Sequence, residues 1–178
     1  MARVFTAVNI DDQQILEELK QVRDRLDLGF KPVNTDKMHI TFQFFKDINQ
    51  EQIKEVKKAI ENISINSFNV EIKGVGAFPS NDYIRVIWAG AEHQKLYTLK
   101  NQLSNHEVEN DNDHSFKPHV TLLRVEDVHG EEKRKLKKTL QEFQNHRFGS
   151  LTVDEVKLYR SDLNPKGARY KQLAAKKL

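Results

Sequence analysis

Residues 38–46 read MHITFQFFK, and residues 117–125 read KPHVTLLRV. Both runs alternate and are rich in β-branched and aromatic residues, which predicts strands. Each contains the same grammar: His39-Ile40-Thr41-Phe42 in the first and His119-Val120-Thr121-Leu122 in the second. Side chains alternate across a strand, so His39 and Thr41 share one face while Ile40 and Phe42 take the other. His119 and Thr121 relate to Val120 and Leu122 in the same way. Each strand therefore anchors on an apolar face and presents an imidazole beside a hydroxyl. The two histidines are 80 residues apart (119 − 39 = 80), and Phe68 and Phe148 share that offset (148 − 68 = 80). A shared offset points to an internal duplication.

Working outward, strands are predicted at 3–10, 68–77, 83–90 and 148–160. Helices are predicted at about 12–27, 50–62, 93–107 and 130–145. Asp11 and Asp12 stand where a helix cap belongs, and Gly29 where a helix stops. FPSND, the NDND run at 110–113 and NPKG at 164–167 read as turns or loops, with RYKQLAA as a short tail segment. Gly74-Val75-Gly76 has neither the spacing nor the following helix of a phosphate-binding fingerprint. The two halves share one order of strand, helix, strand, helix, strand. The expected organisation is one domain over 1–178, with repeats at 1–78 and 79–160 and a short C-terminal segment at 161–178. The expected class is α+β, as two lobes related by a pseudo-twofold axis.

Composition narrows the function. The chain has 178 residues with 29 Lys+Arg against 26 Asp+Glu, a net charge of +3. Mean hydropathy is −0.70, and apolar runs recur throughout, so a folded globular protein is expected rather than a disordered one. No stretch is long and apolar enough for a bilayer helix. MARVFTAVNIDD runs directly into a strand pattern, so no secretory signal is expected. The absence of cysteine excludes disulfides, thiolate metal sites and Cys nucleophiles, and fits a reducing cytoplasm, the expected location. The balance is only mildly basic. Lys133, Arg134, Lys135, Lys137 and Lys138 form a basic helix face, read either as solvated surface or as attraction for a nucleic-acid backbone. Residues 151–178 add a further basic excess.

Two imidazoles facing one cleft can serve as general base and general acid in one turnover. A neighbouring hydroxyl can donate to a non-bridging phosphoryl oxygen. The pattern suits in-line attack at phosphorus and needs no metal. Alternatives are a metal site recruiting His114 and a pair of core histidines. Arg124 has the opposite parity from His119, so a regular strand points it away unless a bulge intervenes. Trp88 reads as core, and His93, His106, His129 and His146 lack matched contexts.

At these residues the chain resembles the 2H phosphoesterase superfamily, and within it the RNA 2′,3′-cyclic phosphodiesterases, also called 2′-5′ RNA ligases. The resemblance covers RVFTAVNI, MHITFQFFKDI, GVGAFPSNDYIRVIWAG, FKPHVTLLRV and VKLYRSDLNPKGARY. It implies a bilobal fold in which two antiparallel sheets face a central cleft with helices outside. It implies hydrolysis of RNA 2′,3′-cyclic phosphate ends to 2′-phosphomonoesters, with reversible ATP-independent 2′-5′ ligation in some members, and no metal or other cofactor. His39 becomes the proton donor, His119 the proton acceptor, and Thr41 and Thr121 the phosphate-holding hydroxyls. Arg124 becomes a substrate contact, and Phe5 either a nucleobase-pocket wall or a core residue. The chain departs from the family pattern at Phe42-Gln43, Leu123 and Ala168, none of them a His or Thr position. The implied partner is RNA with a cyclic phosphate end, acted on by a monomer without a membrane. Rival readings are a non-catalytic RNA-end-binding module, and an enzyme for a small cyclic nucleotide or an ADP-ribose cyclic phosphate.

Overall fold

The computed structural model describes residues 1–111, 115–164 and 167–178. His114, half of the loop expected at 110–113 and the centre of the turn expected at 164–167 lie outside them. Nine strands and four helices alternate among the described residues. They are β1 (Ala2–Asn9), α1 (Gln13–Leu26), β2 (Lys31–Pro32), β3 (His39–Ile48), α2 (Gln50–Glu61), β4 (Phe68–Pro79) and β5 (Ile84–Gly90). Then follow α3 (Gln94–Leu103), β6 (His119–Arg124), α4 (Gly130–Glu142), β7 (Arg147–Val153), β8 (Glu155–Asn164) and β9 (Gly167–Lys177).

The helices form where the apolar spacing predicts them. In α1 the buried set is Ile15, Leu16, Leu19, Val22 and Leu26, and the Asp12 carboxylate caps the helix by accepting the amides of Gln14 and Ile15 at 2.9 and 3.0 Å. That cap satisfies two of the donors that a helix start leaves open. In α2 Asn49 and Gln52 form a reciprocal capping box. Helix α3 is shorter than expected, ending at Leu103 after its last buried leucine.

Two expectations change at the C-terminal end. The single strand expected at 148–160 is two strands, β7 and β8, separated at Asp154. The expected tail is an 11-residue strand, β9, paired with β8 along its length. Its polar composition hides it from a search for apolar alternation, because only part of one face meets the core.

The strands form one hydrogen-bonded antiparallel sheet in the order β7-β4-β5-β6-β3-β1-β8-β9, with β2 beside β6. Two separate sheets were the expectation. The halves are instead joined where β3 meets β6, through the pair Ile40–Val120. The joint is short, and at Leu123–Arg124 it is β2 that lies beside β6. The sheet halves also differ from the halves of the chain: β4 lies with β5, β6 and β7, while β8 returns to β1. Gly74, at φ +75°, makes the bulge where β4 passes from β7 to β5. At Gly76 a Cβ would lie 2.3 Å from the Trp88 ring, so this position is kept bare for the indole. Trp88 is core, at 9% exposure.

Candidate active site

Ile40 and Val120 are both fully buried, and their pairing sets the register of the two motifs. Antiparallel pairing places His39 opposite Thr121 and Thr41 opposite His119. Each imidazole therefore faces the hydroxyl of the other motif. A cavity of about 320 Å³ is lined by His39, Thr41, Thr121, Arg124, Phe5 and Tyr170. Another, of about 740 Å³, is lined by His119 and again by Thr41. A third, of about 430 Å³, lies against the β8–β9 hairpin, with Asn9, His39, Tyr159, Arg169 and Tyr170 in its wall.

The histidines are held alike. His39 Nδ1 lies 2.7 Å from the Lys37 carbonyl, and His119 Nδ1 lies 2.6 Å from the Lys117 carbonyl. A carbonyl only accepts, so each Nδ1 carries the proton and each Nε2 is left for other chemistry. Lys37 and Lys117 share the offset of the histidines (117 − 37 = 80), so the repeat runs two residues further than the His-x-Thr grammar. Burial is the main force on both rings. It pushes His39 down from 6.5 to about 4, with the Lys37 carbonyl opposing and the charges of His119 and Arg124 assisting. His119 is lowered as well, by burial first and then by the charges of Lys117 and Arg124, against its own backbone acceptor.

Arg124 is turned toward the histidines by a bulge. Trp88 pairs with Thr121 and Ile87 with Leu123, so Leu122 is the extra residue in β6. Leu122 and Leu123 are consecutive and both fully buried. The extra residue reverses the parity that a regular strand imposes, and Arg124 joins His119 and Thr121 on the cavity face. Strand β3 does the same: Ala7 pairs with Thr41 and Thr6 with Gln43, leaving Phe42 as the extra residue. Phe44 consequently lines the same cavity as Arg124.

Phe5 is 3% exposed. Its ring stacks on His39, with centroids 4.9 Å apart and planes at 25°. Tyr159 also stacks against it at 5.4 Å and Tyr170 meets it edge-on at 4.8 Å. On the other motif Phe78 meets His119 edge-on at 4.9 Å. Lys37 Nζ donates to the Ala168 carbonyl at 2.9 Å, tying β9 to the motif, whereas Lys117 Nζ lies 4.4 Å above the Trp88 ring. Sequence reasoning missed Tyr159, Tyr170 and Phe78. Nothing local marks them, since each reaches the site through strand pairing. Of the remaining histidines, His93 caps α3, His106 accepts the Val108 amide and His146 lies 3.3 Å from Glu18. Among the described residues no three His, Asp or Glu side chains converge as a metal-binding group. Among the same residues no helix is long and apolar enough to cross a membrane.

An antiparallel α+β sheet with paired imidazoles and hydroxyls across its central joint is the plan of a phosphoesterase. The model of the LigT-like phosphoesterases matches residues 10–88 and again 90–170, and the chain belongs to that family. Among curated relatives, the RNA 2′,3′-cyclic phosphodiesterase of Methanocaldococcus jannaschii is 31% identical over 94% of this chain and 96% of its own. The protein of the same name from Methanothermobacter thermautotrophicus is 30% identical over 94% of each. Among solved structures, TT0787 of Thermus thermophilus aligns with a TM-score of 0.81 at 25% identity, covering 99% of this chain and 97% of that one. Escherichia coli LigT complexed with NADP+ shares the fold, with a TM-score of 0.77 at 24% identity over 99% and 98%.

Proposed function

We propose that the chain hydrolyses RNA 2′,3′-cyclic phosphate ends to 2′-phosphomonoesters by two-histidine acid/base catalysis. The observation that carries this reading is the crossed arrangement of the motifs, with both Nδ1 atoms bound to backbone carbonyls. It leaves the Nε2 atom of each ring available for proton transfer, with Thr41 lining the cavities beside both. His119 Nε2 takes the proton of the attacking water. The water oxygen bonds to phosphorus as the P–O3′ bond breaks, and His39 gives its proton to O3′. Thr41, Thr121 and Arg124 bind the non-bridging oxygens, where negative charge accumulates. Phe5 acts through His39, holding the ring in plane from beneath. Replacing water by a 5′-hydroxyl in the same displacement yields a 2′-5′ linkage without ATP, and by microscopic reversibility the same groups cleave such a linkage. The step uses no metal.

The finer architecture follows the same reading: one bilobal domain, its repeats meeting at Ile40–Val120 with the cleft between the two sheet halves. The offset shared by Ile40 and Val120 (120 − 40 = 80) supports it, because antiparallel pairing of equivalent residues implies a local twofold axis. RNA is the expected partner, and a single chain contains both motifs.

The test is an RNA oligonucleotide with a 2′,3′-cyclic phosphate, incubated with wild type, His39→Ala and His119→Ala in the presence of EDTA, with phosphorus NMR of the product. A 2′-phosphate formed by the wild type and reduced at least a thousandfold in both variants is expected. Tight binding without turnover, with EDTA or with added metals, points instead to an end-binding module.

A further inference from the structure

In-line displacement puts entering and leaving groups on opposite sides of phosphorus. The leaving O3′ and its nucleoside then lie toward His39, and whatever enters lies toward His119. The cavity on the His119 side, at about 740 Å³, far exceeds what one water needs and falls within the roughly 300–1,000 Å³ of ordinary small-ligand sites. It is lined by Phe78, Tyr83, Arg85, Phe116 and Lys117, ending at His119. Tyr83 is 55% exposed, one of few large apolar side chains left in solvent. Its ring is held in place by Arg85, whose guanidinium carbon lies 4.7 Å from the ring centroid. The guanidinium also donates to the Tyr83 hydroxyl at 2.9 and 2.6 Å. Asp111, the acid in the lining, is already engaged: its carboxylate accepts the Lys46 amide and lies 3.9 Å from the Lys46 ammonium. Aromatic faces beside two cations, with the one acid among the described lining residues already paired, suit a base that stacks and a phosphate that follows it.

We propose that this cavity binds an acceptor nucleoside, the 5′-hydroxyl end of a second RNA strand, and that Tyr83 is its stacking platform. The assignment rests on the two-histidine reading above and gives the second nucleophile of that reading a binding site. The 5′ oxygen bonds to phosphorus as P–O3′ breaks. Its proton passes to His119 Nε2, and His39 protonates O3′, leaving a 2′-5′ phosphodiester and a free 3′-hydroxyl. Opening of the cyclic phosphate drives the step, so no nucleoside triphosphate is consumed. In reverse, the same cavity holds the 5′-leaving nucleoside of a 2′-5′ linkage.

The test uses the full chain in two measurements. The single tryptophan, Trp88, lies 5.1 Å from Phe78 at the cavity wall, so its fluorescence reports a titration with a 5′-hydroxyl RNA dinucleotide. Saturable binding is expected, about tenfold weaker in Tyr83→Ala and near wild type in Tyr83→Phe, which keeps the ring. In the second measurement, hydrolysis of a mononucleotide 2′,3′-cyclic phosphate is expected to be unchanged in Tyr83→Ala. Cleavage of a 2′-5′-linked dinucleotide is expected to fall about tenfold in kcat/KM. Equal loss in both reactions, loss in neither, or dinucleotide binding indifferent to Tyr83→Ala overturns the assignment. If the wild type turns over neither substrate, the catalytic reading fails and the titration alone decides the cavity.

Discussion

At the scale of single residues, His39 and His119 are alike in tautomer and differ in depth. Both are lowered by burial, His39 to about 4, so both rings are neutral near pH 7 in the free protein. In the proposed roles, that state suits His119 as base and leaves His39 short of the proton it would donate. A bound phosphodiester anion raises the pKa of a neighbouring imidazole, so under the proposed mechanism substrate itself would prepare the acid. The expected kcat/KM profile is a bell with its maximum below pH 6.5, and the alkaline limb of kcat lies at higher pH than that of kcat/KM. Coincident profiles with optima above pH 7 would contradict this. Arg124 lowers both rings and lines the cavity. Arg124→Met is expected to reduce kcat/KM ten- to a hundredfold, mainly through KM, as steady-state kinetics would read; a change under twofold removes it from the site. The four His and Thr positions were legible in the sequence because a repeated pattern survives without knowledge of contacts. Arg124 was legible only as a residue type, since its direction depends on one extra residue in β6.

At the scale of elements, the two central strands share a device. Phe42 and Leu122 are each an inserted residue directly after a His-x-Thr, and each switches the strand's parity. A bulge of this kind leaves two consecutive buried residues, here Phe42-Gln43 and Leu122-Leu123. In a sequence such a pair reads as ordinary strand hydrophobicity, except where Gln43 breaks the pattern. The wall behind His119 depends on Gly76. A side chain there meets the Trp88 ring at 2.3 Å, and Trp88 packs on Phe78, which touches His119. Gly76→Val is expected to cost about 1–3 kcal/mol in urea unfolding and to reduce turnover by displacing Phe78. Wild-type stability with the Trp88 emission unmoved would show that the wall can yield. Strand β9 was invisible as an element, because its pairing with β8 is supplied by backbone groups that every sequence has.

At the scale of the whole molecule, folding is linked to protonation through the same histidine. His39 has a folded pKa of about 4 against 6.5 unfolded. Between those values the unfolded chain binds more protons, so its contribution to stability is complete above pH 6.5 and is lost as pH falls toward 4. The loss is at most on the order of 3 kcal/mol. Denaturant titrations at pH 7 and 4.5 are expected to show a smaller drop for His39→Phe than for wild type; parallel drops would place the acid sensitivity elsewhere. The basic excess of residues 151–178 is less available than its count suggests. Lys157 lies against Glu155, Arg160 against Asp162 and Lys177 against Asp154, while Arg169 lines a cavity beside His39. KM for oligonucleotides is therefore expected to rise only modestly from low to physiological salt, with the log–log slope of a few phosphate contacts. The sequence by itself determined the class, the helices and the paired motifs, because periodicity and repetition are local or self-referential properties. The tertiary structure alone decided that one sheet joins the halves through Ile40 and Val120, that each histidine faces the other motif's threonine, and that β4 and β8 cross between halves of the chain. Those facts depend on strand pairing between distant residues, and backbone hydrogen bonds, being the same for every residue, leave no mark in the sequence.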